Sequence, residues 1–165
     1  LFPKLISLTT NPYIHNYFVD GGMAAGDVNF APGATTSDWH SMLVGTLGAG
    51  GAGLYALDVT NANAAPNSLA DAQSKLRWEI GAGNSNFPDL GEIYGDPVIA
   101  RMNNGRWAAI VGNGYNSTGS GHAVLYVIDI QDGTQIAALD TGVAGVGGPN
   151  GLSSPTAAQA ATAWS

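Results

Sequence analysis

The chain has 165 residues, 45% of them hydrophobic and only 10% charged, with 24 glycines, 8 prolines, no cysteine and a formal net charge of −7. That is one domain's length with enough apolar side chains for a core, which excludes a disordered segment. Five basic residues (Lys4, Lys75, Arg77, Arg101, Arg106) against twelve acidic ones cannot neutralise a run of phosphates, so nucleic-acid binding is excluded and an anionic membrane surface disfavoured.

The hydrophobic runs are short and stop at Gly, Asn, Asp or Pro, the pattern of strands joined by turns. A first strand is expected near 18–27. Trp39-His-Ser-Met-Leu-Val-Gly45 reads as a second and Leu54-Tyr-Ala-Leu-Asp58-Val as a third, with a glycine-rich loop between them. The only passable helical window is 68–76, where Asn67 or Ser68 could cap and Leu69, Ala72 and Leu76 could share a face. A strand over 75–80 follows it. Residues 97–101 and 107–111 then form a hairpin across Asn103-Asn104-Gly105, and 124–130 and 135–139 form another around Asp132-Gly133. Another strand start is expected at Ser153-Ser-Pro-Thr156, and the alanine-rich stretch 156–164 stays ambiguous.

The second half repeats the first. Trp39-His-Ser-Met-Leu-Val-Gly45 corresponds to Trp107-Ala-Ala-Ile-Val-Gly112, and Leu54-Tyr-Ala-Leu-Asp58-Val to Leu125-Tyr-Val-Ile-Asp129-Ile, a period of about seventy residues. A repeated four-strand antiparallel unit is the signature of propeller blades. The expected fold is therefore all-β, a partial propeller domain over 1–165 with blade-like units at about 18–80 and 96–141 and the start of a third near 152–156. Closed propellers need roughly four to eight blades, so the ring is incomplete.

Each conspicuous motif has a plain structural reading. Gly48-Ala-Gly50-Gly-Ala-Gly53 satisfies G-x-G-x-x-G, but a strand rather than a helix follows it, so no helix N-terminus could hold a pyrophosphate; a flexible hairpin loop is expected instead. Asp20, Asp27, Asp96, Asp129, Asp132 and Asp140 contain no closely spaced calcium loop. Asp58 and Asp129, at matching places in the repeat, read as strand-end residues accepting turn hydrogen bonds. His15, His40 and His122 have no zinc spacing, and Ser153-Ser154 lies in no nucleophile elbow. Trp39, Trp78, Trp107, Trp164, Tyr55 and Tyr126 are expected to pack between blades rather than to form a carbohydrate platform. Asn116-Ser117-Thr118 matches a glycosylation pattern and reads as a turn. No catalytic, cofactor-binding or metal residue is assigned.

Without cysteine there is no disulfide framework, thiol catalysis or zinc–thiolate site, while the compartment stays open. No apolar run approaches the roughly 18 residues of a membrane helix, and the longest, 123–130, contains Tyr126 and Asp129. The first ten residues have neither a basic region nor a small-residue cleavage site. A cytoplasmic chain, or an internal piece of a longer one, is expected from this.

Several segments together resemble the C-terminal propeller of the PilY family. They include His15-Asn-Tyr-Phe-Val-Asp20-Gly, Asp38-Trp-His with Leu43-Val-Gly, Gly53-Leu-Tyr-Ala-Leu-Asp-Val-Thr60 with Leu76-Arg-Trp-Glu79, and Tyr94-Gly-Asp-Pro-Val-Ile-Ala-Arg101. Gly112-Asn-Gly-Tyr-Asn-Ser117, Val124-Leu-Tyr-Val-Ile-Asp129 and Asn150-Gly-Leu-Ser-Ser-Pro-Thr156 continue it in order along nearly the whole chain. The resemblance implies a modified, quinoprotein-like β-propeller and a non-enzymatic type IV pilus biogenesis factor and surface adhesin, supporting pilus extension, twitching motility and attachment. It further implies export through the periplasm to an extracellular, pilus-associated location, with pilus components or host and surface receptors as partners. The family's calcium loop is expected just after a Ser-Pro-Thr blade start, but Ser154-Pro-Thr156 is followed by Ala157-Ala-Gln-Ala-Ala-Thr-Ala-Trp-Ser165, with no carboxylate, so no calcium ligand and no cofactor is carried over. The alternatives are a fragment of a pyrroloquinoline-quinone-dependent dehydrogenase, suggested by Ile128-Asp-Ile-Gln-Asp-Gly-Thr134, or a generic carbohydrate- or protein-binding surface module. Open blade edges also make self-association expected.

Overall fold

The computed structural model describes residues 6–61 and 66–158; Lys4, Trp164 and most of the alanine-rich tail lie outside them. The chain forms two four-stranded antiparallel sheets, each in simple sequence order. The first contains β1 (Met23–Asn29), β2 (Trp39–Thr46), β3 (Gly53–Asp58) and β4 (Leu76–Gly81). The second contains β5 (Val98–Arg101), β6 (Trp107–Gly112), β7 (His122–Asp129) and β8 (Gln135–Ala144). Meanders of this kind follow from short β-branched and aromatic runs punctuated by turn residues, and the two sheets do not close a ring.

The turns follow the local chemistry. In the β5–β6 hairpin the Met102 amide donates to the Arg106 carbonyl at 2.8 Å, and in the β7–β8 hairpin the Gly133 amide donates to the Asp129 carbonyl at 2.9 Å. Before β4 the chain makes one short helix, α1 (Leu69–Lys75), whose first turn is capped by the Ser68 hydroxyl accepting from the Asp71 amide at 3.1 Å. No residue of α1 is buried, so the helix bridges β3 to β4 across the surface without adding to the core.

The core is the seam between the sheets. Period-2 alternation turns Met42, Val44, Leu54, Ala56, Trp78 and Ile80 inward from the first sheet, and Ala109, Val111, Val124, Tyr126 and Ile128 meet them from the second. The connection over 82–97 crosses this seam and adds Phe87, Leu90 and Ile93. Trp78 is 7% exposed and its indole N–H donates to the Ile130 carbonyl at 3.0 Å, joining the outer strand of one blade to the turn of the next. Trp39 meets Trp107 edge-on across the same seam, with ring centroids 6.3 Å apart.

The loop over 48–53 joins β2 to β3 as the expected hairpin, with the Leu47 amide donating to the Gly53 carbonyl at 3.0 Å. Its first residues form a 3-10 turn, Gly48–Gly50, pressed against the segment leading into β1, and a Cβ on Gly50 would run into the Phe18 carbonyl. Glycine is required there by close backbone approach, and no helix follows to bind a phosphate.

Candidate functional site

The antiparallel order gives the blade pair two ends, about 20 Å apart along β6 at roughly 3.3 Å per residue. One end carries Asp58, Asp129 and the hairpin turns; the other collects residues 89–96, the loop between β6 and β7, and the segment 150–154.

At the first end, Asp58 and Asp129 close their strands as the repeat predicts. Asp58 Oδ1 accepts from the Thr60 amide at 3.0 Å and hydroxyl at 2.5 Å, and Asp129 Oδ1 accepts from the Gln131 amide at 2.9 Å. Each also has a partner the sequence did not reveal. His40 donates from Nδ1 to Asp58 at 2.7 Å and faces Asp38 through Nε2 at 3.1 Å, while the Arg106 guanidinium pairs with Asp129. Burial alone would raise Asp58, but Thr60 and His40 outweigh it and hold its carboxyl below the ordinary value of 3.8. Phe30 stacks on His40 with centroids 4.3 Å apart, and the Arg77 guanidinium lies 5.2 Å from the centre of the same ring. A shallow cleft of about 40 Å³ lies beside Phe30, Arg106 and Trp107.

At the second end the organiser is Asn113, fully buried and fully satisfied. Its Nδ2 donates to the carbonyls of Asp89 at 3.0 Å and His122 at 2.9 Å, and its Oδ1 accepts from the amides of Val124 at 3.0 Å and Leu152 at 3.1 Å. One side chain thereby ties three segments, the 89–96 connection, β7 and the 150–154 segment, a use of a buried amide that leaves no polar atom orphaned. Tyr126 supports it from below: its hydroxyl accepts from the Asp89 amide at 3.1 Å, and burial pushes the phenol above its usual range. The Asp89 carboxylate accepts from the Ser120 hydroxyl at 2.8 Å and from the Ser120 amide.

On this platform sits an exposed corner. Glu92 and Tyr115 form an isolated two-residue bridge, their amides and carbonyls exchanging bonds of 2.7 and 2.9 Å. Gly114, at φ 73°, permits that approach because a Cβ would strike the Glu92 carbonyl. Asn116 follows in the left-handed region at φ 57°, where the chain bends, and donates from Nδ2 to Glu92 Oε2 at 3.0 Å. Tyr94 donates its hydroxyl to the same Oε2 at 3.1 Å, and desolvation together with this carboxylate raises its pKa. The rings of Tyr94 and Tyr115, 46% and 51% exposed, stand 6.1 Å apart at 53°. Beneath the loop, the Ser117 hydroxyl is buried without a partner.

The three histidines do not converge: His15 lies between Tyr13 and Tyr17, His40 pairs with Asp38 and Asp58, and His122 donates to Asp140 at 3.0 Å. That last bond, with one from the Gly142 amide, holds Asp140 below its usual pKa. Among the described residues no three histidine, aspartate or glutamate side chains are grouped so as to hold a metal ion. Among the described residues no helix is long and apolar enough to cross a membrane.

The segments that carried the family resemblance are therefore the ones that build both ends. Comparison with known proteins agrees. The family model of the PilY1 beta-propeller domain matches residues 1–163. The type IV pilus biogenesis factor PilY1 of Pseudomonas aeruginosa PAO1 is 43% identical over 159 residues, covering 94% of this chain and 12% of that protein. A PilY1 homolog of Xylella fastidiosa is 39% identical over 136 residues, covering 82% of this chain and 8% of its own length. The crystal structure of the Pseudomonas aeruginosa PilY1 C-terminal domain superposes with a TM-score of 0.67 at 42% identity, covering 86% of this chain and 25% of that one. The chain thus spans only 8–12% of the length of these curated relatives, and it belongs to the PilY1 beta-propeller family.

Proposed function

We propose that the chain is a blade-pair segment of a type IV pilus biogenesis factor, acting without catalysis or a resident cofactor by presenting rigid loops on a sheet scaffold to pilus components outside the cell. The observation that carries this reading is the 43% identity to a protein named for pilus biogenesis over 94% of the chain. The geometry supports it: the residues with partnered polar groups, Asn113, Asp89 and Asp58, are engaged in holding loops. Rigid scaffolds with loop-borne contacts are the usual basis of recognition surfaces. The quinone-dehydrogenase alternative is not favoured, since the curated relatives carry pilus-factor names.

The test is made in the parent protein. A bacterium lacking its own PilY1-type factor is complemented with the full parent, or with the parent in which the blade pair is excised, and surface pili are sheared off and quantified. Loss of pili with the excised protein still accumulating is the expected result. Wild-type piliation by the excised form would overturn the proposal.

A further inference from the structure

The two ends of the blade pair differ in charge as well as in construction. Lys75, Arg77, Arg101 and Arg106 all lie at the end that carries Asp58 and Asp129: Lys75 and Arg77 where β4 begins, Arg101 where β5 ends and Arg106 just before β6. The opposite end carries Asp20, Asp89, Glu92 and Asp96, with no lysine or arginine among the described residues there. Within that end, two half-exposed tyrosine rings flank a carboxylate. Glu92 uses Oε2 for both Tyr94 and Asn116, while no described residue donates to Oε1.

We propose that the corner formed by Tyr94, Tyr115 and Glu92 binds a lysine or arginine side chain of a partner polypeptide. The proposal goes beyond the pilus reading and does not depend on it. Two rings inclined at 53° converge on a point rather than offering one flat platform, which suits a compact cation and not the broad face of a sugar. The carboxylate supplies the counter-charge and a free acceptor for an N–H donor. The backbone bridge between Glu92 and Tyr115, with Gly114 and Asn116 in left-handed conformations beside it, holds the carboxylate and one ring in place before any partner arrives. Among the described residues no lysine or arginine at this end offsets its acidic field, so a basic segment is drawn to it.

The experiment is an amide-shift NMR titration of the 165-residue chain with three probes: acetyl-Gly-Lys-Gly-amide, the same peptide with glutamine in place of lysine, and cellotriose. The lysine peptide is expected to move the amides of Glu92, Tyr115 and Asn116. Tyr115→Leu, at an exposed position and with no change of charge, should weaken its binding about threefold, whereas Tyr115→Phe should bind as the parent does. Glu92→Gln should weaken it further, while Asp132→Asn, an equal change of charge at the other end, should leave it unchanged. Equal responses to the glutamine peptide, a response to cellotriose in place of the lysine peptide, or equal weakening by Asp132→Asn and Glu92→Gln would each overturn the proposal.

Discussion

The two blades share one repeat but bury it differently. In the first, Trp78 and Ile80 on the outer strand β4 are 7% and 3% exposed; at the corresponding places on β8 stand Ala137 and Leu139, and Leu139 is 57% exposed. The strand pattern is the same, and the neighbour differs. Trp78 rests on the Ile130–Gly133 turn of the second blade and donates to the Ile130 carbonyl, while nothing among the described residues covers β8 in the same way. A blade's outer strand becomes core only when the following blade supplies a turn to meet it, so the repeat fixes which side chains can be buried and the stacking decides which of them are.

The largest expected effect breaks this seam. Trp78→Ala removes a buried indole, opens a cavity between the sheets and leaves the Ile130 carbonyl without its donor. We expect a loss of about 3–5 kcal/mol in urea unfolding, as for other large-to-alanine core changes. A loss under about 1 kcal/mol would mean that the second blade does not depend on the first for its stability.

How much of this was legible in the sequence follows from the same residues. The strands were readable because their periodicity is local, and Asp132-Gly133 and Asn103-Asn104-Gly105 announced their hairpins. The equivalence of Asp58 and Asp129 showed that both would cap turns, which both do. Their further partners were not readable, because His40 reaches Asp58 only through the register of β2 on β3, and Arg106 reaches Asp129 through that of β6 on β7. Asn113 looked like one loop asparagine among several, since its four bonds go to segments up to 39 residues away. β8 runs to Ala144, five residues past the expected end, because pairing with β7 continues at Asp140 and, after a register shift, at Ala144, where no hydrophobic alternation marks it. The Tyr94–Tyr115–Glu92 corner left no spacing signal at all, being assembled by a two-residue bridge between distant loops.

A smaller effect separates the two strand-end aspartates. Asp58→Asn keeps the side chain's shape but weakens its bonds with Thr60 and His40, and a cost of about 1 kcal/mol is expected at neutral pH. The sign of the pH dependence follows from the lowered folded pKa: this carboxylate's contribution is present above its unfolded value, near 3.8, and is lost as the pH falls through the lower folded value. Urea unfolding of parent and variant from pH 7 downward should therefore show their difference constant to about pH 4 and shrinking below it. A difference that persists undiminished into that acid range would mean that Asp58 acts through packing rather than charge.

The smallest expected effect concerns the uncovered strand. Leu139→Ser removes an apolar side chain that is already more than half exposed, so the change in stability should stay within about 0.5 kcal/mol. Its consequence should appear in association instead. β8 is ten residues long, presents Leu139 and Val143 to solvent, and has a ladder edge that no described strand pairs. If that edge is where copies of the chain meet, sedimentation at increasing concentration should show the parent associating and Leu139→Ser remaining monomeric to higher concentration, with the two unfolding curves nearly superimposed. Equal association by both would place the contact elsewhere on the blade pair. Association that vanishes together with a large loss of stability would instead show that Leu139 belongs to the core, and that the contrast between β4 and β8 is one of degree.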